Sequence, residues 1–269
     1  MFISQRTIAV VAATGLVTGL AALTAAFGLH APENLSQRIN EAEAVLERAR
    51  TEHAVTYDVP RTLAPLPDVD NPNARKALFV AKMLVLIAEE NERTLSHRRI
   101  IEGAPQGSPA YNAIFVSYGL KPGASRSEAL ARVDIIPESL CLAQAAIESA
   151  WGTSRFARQG HAYFGERTYD PAVPGIAPQR AKGFKVKSFA SPAHSVRSFM
   201  RTLNTHRAYR FLRNQRAVLR AQGVRPSGED LAPHLSAYSE IGQNYVQRIL
   251  ITIRANSLGD FDGIEHVDH

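Results

Sequence analysis

The sequence is poor in residues that carry covalent or metal-dependent chemistry, with one cysteine, Cys141, among 269 residues. A single cysteine excludes an internal disulfide, so the fold must be held together by its core. The nine histidines form no His-x-His or His-Glu-x-x-His pair, the spacings typical of zinc sites. Glycine-rich phosphate-binding motifs and the Gly-x-Ser-x-Gly turn of serine hydrolases are absent as well. We therefore expect no metal and no cofactor, and carboxylates remain the candidate catalytic groups.

Charge is absent from residues 7–29, which are mostly apolar. A span of 23 residues is long enough to cross a bilayer as a helix, for which about 20 suffice. A cleavable signal peptide is the alternative, but Thr24-Ala25-Ala26 is only an approximation of a cleavage site, so an uncleaved signal anchor is favoured. Arg6, before the span, fits an amino terminus left in the cytoplasm. Residues 1–30 are thus predicted to be a signal anchor or signal peptide that exports the rest of the chain.

Residues 31–72 are predicted to form a helical stalk followed by a proline-rich spacer. The apolar residues of the stalk follow four-three spacing, as in a coiled-coil seam: Leu35, Ile39, Ala42, Leu46 and Ala49. Two heptads fit either a short coiled coil or a helix that folds back on the domain. Several prolines between Pro60 and Pro72 exclude a continuous helix. We place the main domain at 73–258 and an acidic tail at 259–269.

The main domain is predicted to be mainly α, with a small β element. Residues 77–88 are apolar apart from Lys82 and indicate a core helix, whereas the polar run 89–93 that continues it is expected to be exposed. Residues 184–189 alternate with a period of two, which predicts one strand of a hairpin. Further helices are predicted at 191–205, 206–222, 228–237 and 242–256.

The stretch 135–152 (IIPESLCLAQAAIESAWG) predicts a buried helix that carries one useful carboxylate. Pro137 suits a first helical position, and Gly152 is expected to end the helix. Glu148 then lies in the last turn, at the edge of an apolar stripe, where burial and the negative end of the helix dipole both raise its pKa. A carboxylic acid that is protonated near neutral pH can act as a general acid. The alternative is a solvated surface glutamate.

Acidic residues are scarce between Arg155 and Arg225, where 15 Lys or Arg face only Glu166 and Asp170. Such a segment would attract a polyanion, either nucleic acid or the carboxylate-bearing peptides of bacterial cell wall. A solvated basic surface is the alternative. Nucleic acid is disfavoured because the chain has an export signal and lacks interleaved aromatic residues for base stacking.

Several ordered motifs resemble bacterial cell-wall endo-β-N-acetylglucosaminidases. The residues 145–154 (AAIESAWGTS) resemble the catalytic helix of that family, and 161–165 (HAYFG) resemble its Asn-Asn-hydrophobic-Phe-Gly segment. The remaining matches are Phe189, 195–196 (SV), 204–209 (NTHRAY), 238–240 (YSE) and Tyr245. The leading segments 66–68 (LPD) and 90–93 (ENER) are similar to those of the membrane-anchored, flagellar glucosaminidase-related Bax-like subfamily. The likeness covers roughly residues 66 to 258.

The resemblance implies a lysozyme-like α+β fold in which a helical lobe and a small β-hairpin lobe form a substrate groove. It also implies a peptidoglycan hydrolase that cleaves the β-1,4 bond after N-acetylglucosamine, on the periplasmic side of the bacterial inner membrane or in the periplasm. Glu148 falls on the general acid of the family and Tyr238 on a tyrosine that positions substrate or water. The residues assigned to substrate binding, or to shaping the groove by packing, are Trp151, Phe164, Glu240 and Tyr245.

The sequence departs from the family pattern in the region where the second catalytic carboxylate is expected. Glycosidases usually pair two carboxylates, yet no Glu lies between Arg167 and Gly228. Asp170 is the favoured candidate, with Glu166 and Glu240 as alternatives. Asp170 can equally be a turn residue before Pro171. Assistance by the N-acetyl group of the substrate would remove the need for a protein nucleophile.

Two other functions remain open from the sequence. A lytic transglycosylase uses one catalytic glutamate on a similar scaffold and releases 1,6-anhydro ends. A non-catalytic module that binds cell wall or nucleic acid would use the basic segment alone. The sequence does not determine the oligomeric state.

Overall fold

The computed structural model describes residues 34–56, 69–179, 183–235 and 242–267. The chain divides after Arg38, and the fold below is that of the second unit, Ile39–His269. The predicted membrane segment, most of the spacer, Tyr238 and Glu240 lie outside the described residues. Within the described ranges, no helix is both long and apolar enough to cross a membrane.

The first half of the described chain is almost entirely helical. Its elements are α1 (Leu35–Glu52), β1 (Ala54–Thr56), α2 (Pro72–Gly103), α3 (Pro109–Ser117), α4 (Arg126–Arg132) and α5 (Glu138–Ser149). Three of the helices begin with a side-chain cap, since Asn71, Ser108 and Ser125 each accept a hydrogen bond from a backbone N–H of the first turn.

The second half adds a small sheet between helices. Its elements are α6 (Arg155–Gly160), β2 (Arg167–Thr168), β3 (Gly175–Ile176), β4 (Lys185–Lys187), α7 (Pro192–Thr205), a 3₁₀ turn (Arg207–Tyr209), α8 (Arg210–Ala221), α9 (Gly228–Leu231), a 3₁₀ turn (Ala232–Leu235), α10 (Gln243–Ala255), a 3₁₀ turn (Leu258–Phe261) and β5 (Glu265–Val267). The helices predicted at 191–205, 206–222 and 242–256 are confirmed within a few residues. The helix predicted at 228–237 is one short turn that continues as 3₁₀.

The predicted strand at 184–189 is β4, which forms the expected hairpin with β3 and is also the centre of a three-stranded antiparallel sheet. Both β2 and β3 pair with β4, with Val186 opposite Arg167 on one side and Ile176 on the other. The partner strands are only two residues long and carry no alternation, so the sequence pattern reveals the central strand alone.

The helical core includes the stalk. The seam residues Ala42, Leu46 and Ala49 are at most 7% exposed and pack in the same cluster as α2 and α5. The seam from Ala42 onward is therefore covered by the domain and is not free for a coiled coil. This settles the alternative in favour of a helix that folds back.

Residues 259–267 are not a tail. Phe261 and Ile264 are buried in the main core, and β5 pairs in parallel with β1, with Ala54 opposite Glu265. The two strands lie on either side of the segment 73–258 in the sequence, so their pairing draws both flanks into the fold.

The prediction that 89–93 is exposed is wrong for Glu90 and Asn91, which are 6% and 3% exposed. The Asn91 amide nitrogen donates to the Ile136 carbonyl (2.9 Å) and to Glu138 Oε1 (2.7 Å), and its oxygen accepts from the Ile136 N–H. These partners lie more than 40 residues away, and polarity alone does not reveal them. Asn91 therefore fixes the start of α5 against α2.

Much of the basic segment is used inside the protein. At least eight of its fifteen cations donate hydrogen bonds to protein carbonyls or carboxylates: Arg155, Lys185, Lys187, Arg197, Arg213, Arg216, Arg220 and Arg225. Arg216 is fully buried, held by the carbonyls of Ala131, Asp134 and Ile135. Attraction of a polyanion stays a prediction that rests on the exposed cations among the described residues, such as Arg201, Arg207 and Arg210.

Candidate active site

Glu148 lies in the last turn of α5, as the sequence predicts. The helix buries all residues from Glu138 to Ala146, because α2, α10 and the 3₁₀ turn at Leu258–Phe261 pack around it. At Ile147 and Glu148 the helix emerges, and both side chains are partly exposed. The carboxylate thus sits where a buried helix meets the surface, so it is partly desolvated and still reachable.

Both ends of α5 differ from the sequence prediction, in which Pro137 is the first helical residue and Gly152 terminates the helix. Pro137 is the N-cap, and the helix ends at Ser149 with Ala150 (φ 51°) and Trp151 (φ 56°) in the left-handed region. The Ser149 hydroxyl donates to the Ala145 carbonyl and accepts from the Gly152 N–H. Two non-glycine residues in this region cost roughly 1–2 kcal/mol each. Strain of this kind is found where the surrounding structure fixes a functional group.

The segment after α6 approaches Glu148 at Gly165. The Tyr163 N–H donates to Ser195 Oγ (3.2 Å), and the Phe164 ring stacks on Phe199 with centroids 3.9 Å apart, so the segment is tied to α7. Gly165 follows with φ +64°, and a Cβ built on it would lie 3.3 Å from Glu148 Oε2. Glycine at this position allows the backbone to turn and to pass close to the carboxylate.

Tyr245 of α10 is the hydrogen-bond partner of Glu148. Its ring is 2% exposed, and its hydroxyl accepts from the Gln144 amide nitrogen at 3.0 Å. Because Gln144 supplies a donor, the hydroxyl directs its own proton to the Glu148 carboxylate. Gln144 precedes Glu148 by four residues, on the same face of α5, so one helix carries both the acid and the group that orients its partner.

The balance of interactions raises the pKa of Glu148. Burial raises it, whereas the Tyr245 hydrogen bond and the charges of Arg248 and Arg167 lower it, and burial dominates. Burial and the neighbouring carboxylate also raise the pKa of Tyr245 far above its usual value, so the hydroxyl keeps its proton. The site therefore holds a carboxyl group that stays protonated to a higher pH than an ordinary glutamate.

The two acids of the small sheet are already engaged. Glu166 accepts from Lys187 Nζ (3.1 Å) and from the Ser198 hydroxyl (2.9 Å). Asp170 is exposed and accepts from the Ala172 N–H (2.8 Å), the pattern of an Asx turn. The turn role that the sequence offers for Asp170 is thus present, and its catalytic role stays a prediction.

The remaining predicted site residues differ in their surroundings. Phe164 is 1% exposed beneath the ring of Phe199, which fits packing and leaves little surface for a sugar. Trp151 is partly exposed, packs edge-on against Phe79 (5.6 Å) and has Lys76 Nζ 5.0 Å from its ring centre. Tyr245 is buried and is hydrogen bonded to Glu148. Substrate contacts by these residues stay predictions.

Within the described ranges, no group of three or more His, Cys, Asp or Glu side chains could hold a metal ion. Cys141 is buried in α5, and burial keeps the pKa of its thiol well above the usual value. The groups that the structure gathers around Glu148 can therefore support proton transfer.

Sequence reasoning missed Gln144, Gly165, Arg167 and Arg248 as neighbours of Glu148. The signal for Gln144 is its i, i+4 spacing to the acid, and that for Gly165 is its place at the end of the HAYFG motif. The two arginines have no local signal, because they approach from β2 and α10 through the tertiary fold.

Comparison with known proteins identifies the family of the chain. The Glucosaminidase family, described as mannosyl-glycoprotein endo-beta-N-acetylglucosaminidase, matches residues 123–258, which include Glu148, Gly165 and Tyr245. The chain belongs to this family of glycan hydrolases, and its mainly α architecture with a small sheet is the lysozyme-like fold expected for it. Among curated proteins it is similar to Protein bax of Escherichia coli (strain K12), with 33% identity over 195 residues, 67% of this chain and 70% of that protein. No solved structure matches significantly.

Proposed function

We propose that the protein is an endo-β-N-acetylglucosaminidase that cleaves the β-1,4 bond after N-acetylglucosamine in peptidoglycan, with Glu148 as its general acid. The observation that carries the proposal is the raised pKa of a partly exposed carboxylate held by Tyr245. Membership of the Glucosaminidase family supports a hydrolase acting on cell-wall glycan.

The chemistry assigns each neighbour a task. The protonated Glu148 donates to the glycosidic oxygen as the bond to the anomeric carbon breaks, a contribution of about 10²–10⁴ in rate. Tyr245 orients the carboxyl group, and Gln144 holds Tyr245. The positive charges of Arg167 and Arg248 favour the carboxylate that remains after proton transfer.

The second carboxylate is part of the same proposal. Asp170 is the favoured base or nucleophile and Glu240 is the alternative, with Tyr238 positioning substrate or water. Asp170 would have to exchange its turn hydrogen bond with Ala172 for a contact with substrate. Assistance by the N-acetyl group would need neither residue.

A lytic transglycosylase is the second candidate, favoured by one observation. Glu166 is paired with Lys187 and Ser198, and Asp170 holds a turn, so both acids of the small sheet already have hydrogen-bond partners within the protein. A mechanism with a single glutamate fits this arrangement.

To test the proposed activity, the full chain is incubated in detergent with purified peptidoglycan, and the released fragments are identified by mass. Reducing N-acetylglucosamine ends, lost at least about 100-fold in Glu148→Gln, support the proposal. Anhydro ends would assign the chain to the transglycosylases. Equal turnover by Glu148→Gln would remove Glu148 from the mechanism.

We also propose that residues 7–29 anchor the protein in the inner membrane, with the enzyme in the periplasm. The uncharged span of 23 residues supports this location. Alkaline extraction of membranes from cells that make the chain tests it: an anchored protein stays in the pellet, and a cleaved one is released.

A further inference from the structure

A pocket with a mostly apolar lining and several polar groups lies between α2, α3 and α7, with a volume of about 250 Å³. At about 30 Å³ per water molecule, it has room for roughly eight waters or for one small ligand. Its polar lining residues are Glu90, Arg93, Thr94, His97, Ser117, Tyr118, Arg201 and Asn204. None of these residues contributes to the surroundings of Glu148 described above.

Asn204 lines this pocket and carries a buried acceptor that is not used. The side chain is 2% exposed, and its nitrogen donates to the Asp134 carbonyl at 2.9 Å, which fixes the orientation of the amide. The oxygen Oδ1 is buried and has no donor within reach in the described part of the chain. A buried acceptor without a donor costs about 1–3 kcal/mol. A ligand with an N–H or O–H group would remove this cost.

The charges around the pocket favour an anion. The buried Glu90 is shared by Arg93, whose Nε donates at 2.9 Å, and Arg197 at 3.2 Å, so its charge is compensated. Arg201 is exposed, and the described residues show no ion pair for its guanidinium. Glu90, Arg93 and Arg201 among the lining residues sum to a charge of +1. A carboxylate can therefore bind at the outer side of the pocket.

The remaining surface suits a sugar. His97 and Tyr118 are hydrogen bonded at 3.3 Å and stand edge to face, and Ile114 and Met200 add apolar surface. Burial and the charge of Arg93 lower the pKa of His97, so the ring is neutral at pH 7. Aromatic and apolar walls with a few fixed polar groups are typical of small-molecule sites.

We propose that this pocket binds a carboxylated, amide-bearing sugar of the N-acetylmuramic acid type. Its carboxylate would pair with Arg201, and its amide N–H or a hydroxyl would donate to Asn204 Oδ1. The choice of ligand rests on the proposed action on peptidoglycan. The pocket would give the enzyme a contact with the glycan, or with a released fragment, apart from the one at Glu148.

The test measures binding of N-acetylmuramic acid and of N-acetylglucosamine to full-length Glu148→Gln protein by calorimetry at low salt. The two sugars differ by the lactyl carboxylate, and the substitution keeps hydrolysis out of the measurement. We expect the carboxylated sugar to bind at least about five-fold more tightly, the upper range of an exposed ion pair. The side-chain amide signal of Asn204 in NMR spectra should shift only with this sugar.

Two pairs of variants locate the site. Arg201→Gln should weaken binding by about five-fold, whereas Arg207→Gln, which removes an equally exposed charge away from the pocket, should not. Ala113→Trp fills the pocket from an exposed position and should abolish binding, whereas Ala110→Trp on the same helix should not. Both alanines are exposed, so the fold tolerates the larger side chain.

Equal affinities for the two sugars, full affinity in Ala113→Trp, or no binding at about 10 mM sugar would overturn the inference. Its outcome is separate from that of the proposed function. If the protein binds the sugar at the pocket but releases no fragments from peptidoglycan, the glucosaminidase proposal is rejected and the binding site is kept. If it releases fragments but does not bind the sugar at the pocket, the binding site is rejected and the glucosaminidase proposal is kept.

Discussion

Gly165 and Glu148 are neighbours in the candidate site: a Cβ built on Gly165 would lie 3.3 Å from Glu148 Oε2. The distance is too short for comfortable van der Waals contact with a methyl group, and φ at Gly165 is +64°. The glycine that ends the HAYFG motif therefore serves the carboxylate directly, by allowing the chain to pass beside it.

Gly165→Ala should lower activity more than stability. The new methyl group would displace the carboxylate by a few tenths of an ångström. Since a misplacement of about 1 Å can cost about 10²-fold in rate, we expect a loss of activity below about 10²-fold. Backbone strain alone should cost roughly 1–2 kcal/mol. The kinetic constants for peptidoglycan hydrolysis and the midpoint of urea unfolding are the two measurements.

Gly223→Ala is the matched control. Gly223 has φ +71° and no atom within 4 Å of a built Cβ, so it carries the same strain without the contact. Equal losses of activity in the two variants would show that strain is the cause and would remove Gly165 from the site.

Tyr245→Phe should move the pH profile. The hydrogen bond from the Tyr245 hydroxyl lowers the pKa of Glu148, so its loss raises that pKa further and keeps the acid protonated to higher pH. We expect the alkaline limb of kcat/KM to shift upward, together with a stability loss of about 1 kcal/mol. Tyr163→Phe is the control, since burial alone determines the pKa of that tyrosine. An unchanged profile in Tyr245→Phe would reduce Tyr245 to a packing residue.

Asp134→Asn should destabilise the fold strongly. The carboxylate is 2% exposed and is bound by Arg220 at 2.7 Å and 3.1 Å, with the buried Arg216 beside it. Removing one partner of a buried ion pair costs about 3–5 kcal/mol. Asp170→Asn, at an exposed turn, should change stability by no more than about 0.5 kcal/mol. The free energy of urea unfolding at pH 7 measures both effects. A small loss of stability in Asp134→Asn would contradict a stabilising role for the ion pairs of Asp134 with Arg216 and Arg220.

The loss of stability in Asp134→Asn should depend on pH. Burial raises the pKa of Asp134, but the guanidiniums of Arg216, Arg220 and Arg98 outweigh it, so the pKa lies below its usual value. The stabilisation is present above the unfolded pKa of about 3.9 and is lost as the pH falls through the lower folded value. The difference in stability between wild type and Asp134→Asn should shrink in that acidic window.

Glu138 should make the fold more stable in mild acid. Burial and the charge of Asp262 raise the pKa of Glu138 to about 7, although the Gly263 N–H and Asn91 donate to it. The folded state binds this proton more tightly than the unfolded state, so unfolding free energy falls by about 3 kcal/mol as the pH rises from 4.5 to about 7. Unfolding at pH 5, 6 and 8 should show this decline in wild type.

Glu138→Gln is the test of the assignment, because it removes the titrating group and should flatten the decline between pH 5 and 8. Glu128→Gln, on the exposed side of α4, should keep it. A decline that persists in Glu138→Gln would place the titration elsewhere.

Local patterns predict the helical class and the position of Glu148 because they depend on neighbours in the chain. The apolar stripe of α5, the caps at Ser108 and Ser125 and the alternation around Val186 are all readable within a few residues. The family resemblance uses the same kind of signal, and it is confirmed by the match over 123–258.

Other features of the fold depend on contacts between residues that are far apart in the sequence, and only the tertiary structure reveals them. Asn91 is buried because its partners, Ile136 and Glu138, lie at the start of α5 and just before it. The short strands β2 and β3 exist because β4 pairs with them. Both lie beyond the reach of local polarity or periodicity.

The chemistry of the site divides in the same way. The sequence by itself was enough to select Glu148 as the candidate acid, since helix position and an apolar flank are local properties. Only the fold brings Tyr245, Gly165, Arg167 and Arg248 to Glu148, and their opposing effects on its pKa depend on distance and burial in three dimensions.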